Sequence, residues 1–112
     1  MTAKEVLEKF LYGWSNKQHA LMVKHTQKTW LSNRPKGKEL ASIKELITDR
    51  LKNAKIHEEI QITSVITDFI VTGTIEGQSV KKKIRLIKEL KPYTPSESGE
   101  WGVNPISALK NI

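Results

Sequence analysis

The stretch that decides the fold runs from Lys55 to Ile75 and reads KIHEEIQITSVITDFIVTGTI. From Ile56 to Ile66, one set of residues alternates with a polar set, with Glu58 as the exception; the first set is Ile56, Ile60, Ile62, Ser64 and Ile66, and the second is His57, Glu59, Gln61 and Thr63. This alternation is typical of a half-buried strand. The remainder of the stretch is rich in β-branched residues and predicts a second strand. A period of two residues therefore begins at Lys55, and the sequence predicts helices before this point and strands after it.

The chain before Lys55 has the spacing of helices. Thr2 and Glu5 have the capping-box spacing that marks the start of a helix. Apolar residues then repeat at steps of three and four and form one stripe, which consists of Val6, Leu7, Phe10, Leu11 and Trp14. Two further helices are predicted, over about 16–28 and 38–52, with a Pro- and Gly-containing loop between them.

Two further strands follow the quoted stretch. Glu76 and Gly77 favour a tight hairpin turn. The third strand then has an apolar face and a largely basic face. The apolar face holds Val80, Ile84, Leu86 and Leu90, and the other holds Lys81, Lys83, Arg85, Ile87 and Glu89. A loop over 91–99 leads to a last strand from Glu100 to about Leu109.

Composition and element order together predict the fold class. The 112 residues are 38% apolar and 28% charged, as expected of one globular domain over 1–112. We expect an α+β fold in which three N-terminal helices pack on a curved, four-stranded antiparallel sheet. The absence of cysteine excludes disulfides, thiolate metal sites and thiol nucleophiles. No apolar stretch approaches the length of a membrane span, so a cytoplasmic protein is expected.

The formal charge of +7 is unevenly distributed. Seven basic residues and no carboxylate lie in the range from Lys9 to Lys38. The range from Lys81 to Lys91 holds six basic residues and a single carboxylate, Glu89. Such asymmetry attracts phosphate backbones or anionic lipids, but charge also serves solubility. The pattern is compatible with nucleic acid as a partner and with a merely solvated basic face.

The order of elements resembles the nuclear transport factor 2-like superfamily, whose fold is of the cystatin-like α+β kind. The resemblance is carried by VLEKFLYGW at 6–14, VTGTI at 71–75, IRLIKE at 84–89 and WGV at 101–103. It implies a cone-shaped apolar cavity between helices and sheet, and pairing as a homodimer through the open sheet face. Members include isomerases, dehydratases and transport adaptors, so the fold does not settle the function.

An enzyme of the isomerase or dehydratase type would need a desolvated carboxylate as base and a hydroxyl as oxyanion donor. Asp68 and Tyr12 are the only such pair that the sequence offers. Each also has an ordinary structural role, because Asp near a strand start caps turns and Tyr beside a core stripe packs its ring. The sequence therefore favours a non-catalytic protein, with the cavity enzyme as the alternative.

The basic residues Lys81, Lys83 and Arg85 should stand in a row on one sheet face, and Trp30 is the aromatic candidate for stacking. This row supports a second alternative, a nucleic-acid accessory protein of a mobile element. Trp14 and Trp101 are expected in the core.

The three histidines lack metal-ligand spacing, so neither a metal nor a cofactor is expected. His25 is expected to be a core histidine and His57 an exposed one. The favoured interpretation is a binding or protein-interaction module with a small apolar cavity, its ligand being a protein or a small apolar molecule.

Overall fold

In the computed structural model of residues 1–112, helices precede an antiparallel sheet. The helices are α1 (Ala3–Ser15), α2 (His19–Lys24), α3 (Lys28–Ser32) and α4 (Glu39–Leu46). The strands are β1 (Lys52–Thr63), β2 (Ile66–Ile75), β3 (Gln78–Lys91), β4 (Thr94–Pro95) and β5 (Glu100–Val103), and a short 3-10 helix (Pro105–Ala108) follows. The α+β class is confirmed. The predicted count was wrong, because there are four helices and five strands.

Helix α1 begins with the predicted capping box. The backbone N–H of Glu5 donates to Thr2 Oγ1 at 3.1 Å, and the N–H of Thr2 donates to Glu5 Oε1 at 2.8 Å. The hydrogen bond that the Thr2 backbone donates to the Glu5 carboxylate holds the pKa of Glu5 below its usual range. The apolar stripe of α1 is buried. The rings of Phe10 and Trp14 pack edge to face, with their centroids 6.4 Å apart.

The helix predicted over 16–28 is interrupted because part of it pairs with a strand. Helix α2 ends at Lys24, and Thr26 forms a parallel bridge with Val103 of β5. The N–H of Val103 donates to His25 O at 2.8 Å, and the N–H of Gln27 donates to Val103 O at 2.9 Å. Residues 25–27 thus bond to the sheet, and the chain resumes as the separate helix α3.

Two other elements end earlier in the structure than the sequence predicted. Helix α4 ends at Leu46, although the apolar Ile47 and Leu51 beyond it are buried as well. The last strand ends at Val103 because Pro105 opens the 3-10 helix, whose N-cap Asn104 accepts from the N–H of Ile106 at 3.1 Å.

The sheet follows the order β1-β2-β3, and β4 and β5 both pair with β3. The turn between β2 and β3 was predicted correctly, since Glu76 and Gly77 lie there with φ of 51° and 77°. Pairing between β2 and β3 is unbroken, with Phe69 opposite Ile84 and Asp68 opposite Arg85. The β1–β2 pairing contains three register irregularities.

One hydrophobic cluster of 16 residues joins the helices to the sheet. It includes Phe10 and Trp14 of α1 together with Phe69, Val71 and Ile84 of the central strands. Because side chains alternate along a strand, Asp68 and its neighbours at every second position point the other way. We call that side, opposite the helices, the outer face.

Lys82 is a basic residue that points inward. The register pairs it with the buried Val71, and its Nζ donates to Leu109 O at 3.3 Å. Nζ lies 5.8 Å from the ring centroid of Trp14, whose Nε1 donates to Asp49 Oδ1 at 2.9 Å. Burial lowers the pKa of Lys82, and the charge of Asp49 acts in the opposite direction. Only the flanking lysines of the triplet 81–83 therefore reach the outer face.

The end of β3 differs from the expected pattern, which placed Leu90 in the core. Leu90 is 54% exposed and Glu89 is 2% exposed, with a register shift between Glu89 and Lys91. Glu89 Oε1 accepts from the backbone N–H of Thr29 at 3.0 Å, and Oε2 accepts from the Thr29 hydroxyl. A buried carboxylate thus satisfies donors in the first turn of α3, which explains why Glu89 replaces Leu90.

We expect Glu89→Ala to lower the free energy of unfolding by about 2 kcal/mol, because it leaves the Thr29 donors without their acceptor. Urea denaturation followed by circular dichroism measures this change. The control Glu97→Ala removes an exposed carboxylate of the loop before β5 and should leave the midpoint unchanged. Equal loss in both variants would contradict this role of Glu89.

Candidate binding surfaces

The outer face carries lysines from two strands at the end of the sheet nearest the β2–β3 turn. The register aligns Lys52 with Thr74 and Ser79, and aligns Lys55 with Thr72 and Lys81. The four lysines of this group, which we call the lysine cluster, are all exposed and are Lys52, Lys55, Lys81 and Lys83. None of them forms an ion pair. The sequence had indicated the two on β3 but not the two on β1, whose pairing partner was unknown.

A hollow of about 560 Å³ adjoins the lysine cluster. Its lining is mostly polar and includes Asn53, Thr72, Thr74, Ser79, Lys81 and Asn111. Hydroxyl, amide and ammonium groups all donate hydrogen bonds to anionic oxygen atoms. The arrangement is therefore suited to a ligand that carries several negatively charged oxygens.

Arg85, the third member of the predicted basic row, forms an ion pair with the carboxylate of Asp68. Its Nε donates to Asp68 Oδ1 at 2.8 Å and its Nη2 donates to Asp68 Oδ2 at 3.1 Å. The hydrogen bond that Arg85 donates to the Asp68 carboxylate raises the pKa of Arg85. Because this fork-shaped pair cancels both charges, the positive field of the row comes from Lys81 and Lys83.

The two candidate catalytic residues lie on different sides of the sheet. Tyr12 is exposed in a groove between α1 and β1, where Leu11, Ser15 and Ile56 also line the wall. Asp68 lies on the outer face, bonded to Arg85. The structure does not bring Tyr12 and Asp68 together at one cavity.

Trp30 is separate from the basic row. It lies on α3, which contacts β3 near Glu89, and its ring is covered by the Arg34 guanidinium at 4.5 Å from the centroid. Lys81 lies at the opposite end of β3, so the predicted combination of Trp30 with the lysines is not assembled.

The three histidines are held in different ways. His25 is 7% exposed, and burial, followed by the charges of Lys24 and Lys9, lowers its pKa. His57 is exposed, with Nε2 at 2.6 Å from Thr72 Oγ1. His19 Nε2 lies 3.3 Å from Ile47 O. No group of three His, Asp or Glu side chains is placed to hold a metal ion.

Comparison of the chain with protein-family models, with curated proteins and with solved structures finds no match. The resemblance to the nuclear transport factor 2-like superfamily therefore stays a prediction. No helix combines the length and the hydropathy that a membrane span requires.

We expect Arg85→Gln to lower the free energy of unfolding by about 2 kcal/mol, because it leaves the buried Asp68 carboxylate without its cation. The loss is smaller than for a fully buried pair because the Arg85 side chain is 43% exposed and water reaches the site. Chemical denaturation measures the change. The double variant Arg85→Gln/Asp68→Asn should recover part of the loss, and Lys83→Gln should cause none. An unchanged midpoint in Arg85→Gln would contradict this account.

The lowered pKa of His25 predicts lower stability in acid. The unfolded chain binds a proton at His25 more readily than the folded chain does. The free energy of unfolding should therefore be highest above about pH 6.5 and should decrease as the pH falls below that value. The slope from this residue is at most about 1.4 kcal/mol per pH unit. Denaturation at several pH values should show a shallower decline for His25→Gln than for the native protein. An unaltered slope in His25→Gln would contradict the prediction.

Proposed function

We propose that this protein is a non-catalytic binding module that holds a nucleic-acid backbone against the outer face of its sheet. The observation that carries the proposal is the lysine cluster, in which two strands separated by β2 present unpaired ammonium groups on one open face. A repeating polyanion engages several such charges at once and releases its own counterions. The adjoining hydroxyl-lined hollow adds neutral donors for the same oxygens.

Two geometric features support this choice of ligand. Residues two apart on a strand are about 6.6 Å apart, so Lys81 and Lys83 can contact separate phosphates. Lys55 stands across the sheet from Lys81, with Thr72 between them, so the charges form a patch rather than a line. A patch of this kind suits a backbone that crosses the strands.

The interior supports a ligand at the surface rather than within the fold. Large side chains, among them Phe10, Trp14, Met22 and Phe69, are fully or almost fully buried in the cluster that joins the helices to the sheet. We also propose that the fold is of the nuclear transport factor 2-like, cone-shaped kind. The order of elements, with helices before an antiparallel sheet, supports this part of the proposal. Self-association through the outer face would compete with the proposed ligand, because both would use that face.

Fluorescence anisotropy with labelled single-stranded and duplex oligonucleotides tests the proposal. Affinity should fall steeply with salt, with a logarithmic slope of about 3 if all four lysines contact phosphate. The variant Lys81→Glu/Lys83→Glu should bind at least about tenfold more weakly at low salt and should lose about half of that slope.

The matched control is Lys36→Glu/Lys44→Glu, which changes the net charge equally at exposed positions away from the sheet. Its affinity should stay within about threefold of the native value if position, and not total charge, determines binding. Equal loss in both double variants, or no binding by the native protein at low salt, would refute the proposal.

A further inference from the structure

A second concave region, which shares no residue with the lysine cluster, is centred on Trp101. This residue was expected in the core but is only partly buried. It borders three hollows, of about 240, 310 and 450 Å³. The first is lined by Val6, Lys24, His25, Gly99 and Glu100 in addition to Trp101 and Met1. We call the first two, which share Lys24, Glu100 and Trp101, the Trp101 hollow.

His25 presents polar atoms to this hollow. The residue is more than nine-tenths buried, and neither ring nitrogen has a hydrogen-bond partner in the protein. No fully buried side-chain nitrogen or oxygen lacks a partner, so the ring nitrogens of His25 must be accessible, and the hollow that the residue lines provides that access. Because its pKa is lowered, the ring is neutral at neutral pH and offers one donor and one acceptor.

Within the Trp101 hollow, the charge that is left after internal ion pairing is positive. Lys28 Nζ lies 2.7 Å from Glu100 Oε1, and this bond lowers the pKa of Glu100 and offsets its charge. Lys24 borders the hollow without an ion-pair partner. Lys88 Nζ lies 5.8 Å from the centroid of the Trp101 ring but lines the neighbouring hollow of about 450 Å³. An anion in the Trp101 hollow would therefore meet an aromatic wall and the unpaired ammonium group of Lys24.

We propose that the Trp101 hollow binds a small planar ring that carries one anionic group. The ring lies against the indole of Trp101, the anionic group pairs with Lys24, and a polar hydrogen or oxygen on the ring bonds to His25. The larger of the two component hollows, at about 310 Å³, has the size of the smaller ligand sites in proteins. The site uses none of the residues of the lysine cluster, so it stands independently of nucleic-acid binding.

Nuclear magnetic resonance of the 15N-labelled protein tests the site directly. The three tryptophans give three indole N–H signals, and Trp101→Phe identifies the one from Trp101. The probe is 4-hydroxybenzoate, which has a planar ring, a carboxylate and a hydroxyl. Its addition should shift the Trp101 signal in a saturable manner, with a Kd of about 1 mM. The Trp14 indole, which is bonded to Asp49, should not move and serves as the internal reference.

Variants and altered probes decide between this site and weak surface adsorption. Lys24→Gln should weaken binding at least about fivefold, whereas Lys44→Gln, with the same charge change on α4, should not. Cyclohexanecarboxylate lacks the planar ring and phenol lacks the anion, so each should bind at least about fivefold more weakly.

The proposal is overturned if 4-hydroxybenzoate leaves the Trp101 signal in place, if Lys24→Gln binds like the native protein, or if cyclohexanecarboxylate binds equally well. Lys81→Glu/Lys83→Glu should retain the full Trp101 shift. This last measurement tests the Trp101 hollow in a variant whose lysine cluster is impaired, so the failure of nucleic-acid binding can be distinguished from the failure of the Trp101 site.

Discussion

The unbroken register between β2 and β3 is the constraint on which both faces of the sheet depend. With a side-chain period of two, a slip of β3 by one residue would turn Ile84 outward and bring Lys83 or Arg85 onto the core face beside Phe69. The two-residue turn at Glu76 and Gly77 determines the register, because both residues adopt the positive φ that such turns require. Inward, this register positions the surface on which α1 packs. Outward, it positions Lys81 and Lys83 on a face free of that packing.

A second, non-local pairing shapes the other end of the molecule. The bridge between Thr26 and Val103 holds the segment after α2 against β5. Gly102 permits this approach, since a Cβ atom there would come within 2.6 Å of the Gln27 Cα. The same pairing brings His25 beside Trp101. The concave region around Trp101 is therefore a consequence of breaking the helix that the sequence had predicted to continue to residue 28.

Local signals in the sequence were sufficient for the fold class and for several elements. The capping box of α1 and the turn at Glu76 and Gly77 are each formed by neighbouring residues, and the alternation along β3 placed Lys81 and Lys83 correctly. The end of α2 and the exchange of Glu89 for Leu90 were not predictable in this way. Both depend on partners more than 50 residues away in the chain. The positions of Lys52 and Lys55 were not predicted because they depend on the irregular pairing of β1 with β2, and the surroundings of Trp101 were not predicted because they depend on the Thr26–Val103 bridge.

Charge on β3 is distributed so that the strand alone offers little to a polyanion. Lys82 is turned into the core and Arg85 is neutralised by Asp68, so two of the four basic residues from 81 to 85 contribute nothing outward. The patch reaches its full size only because β1 adds Lys52 and Lys55. β1 is an edge strand with irregular pairing and mostly exposed side chains, and charges there also discourage edge-to-edge pairing with other chains. The lysines that protect this open edge are thus the ones that complete the binding face, so the face depends on the least buried strand of the sheet staying paired.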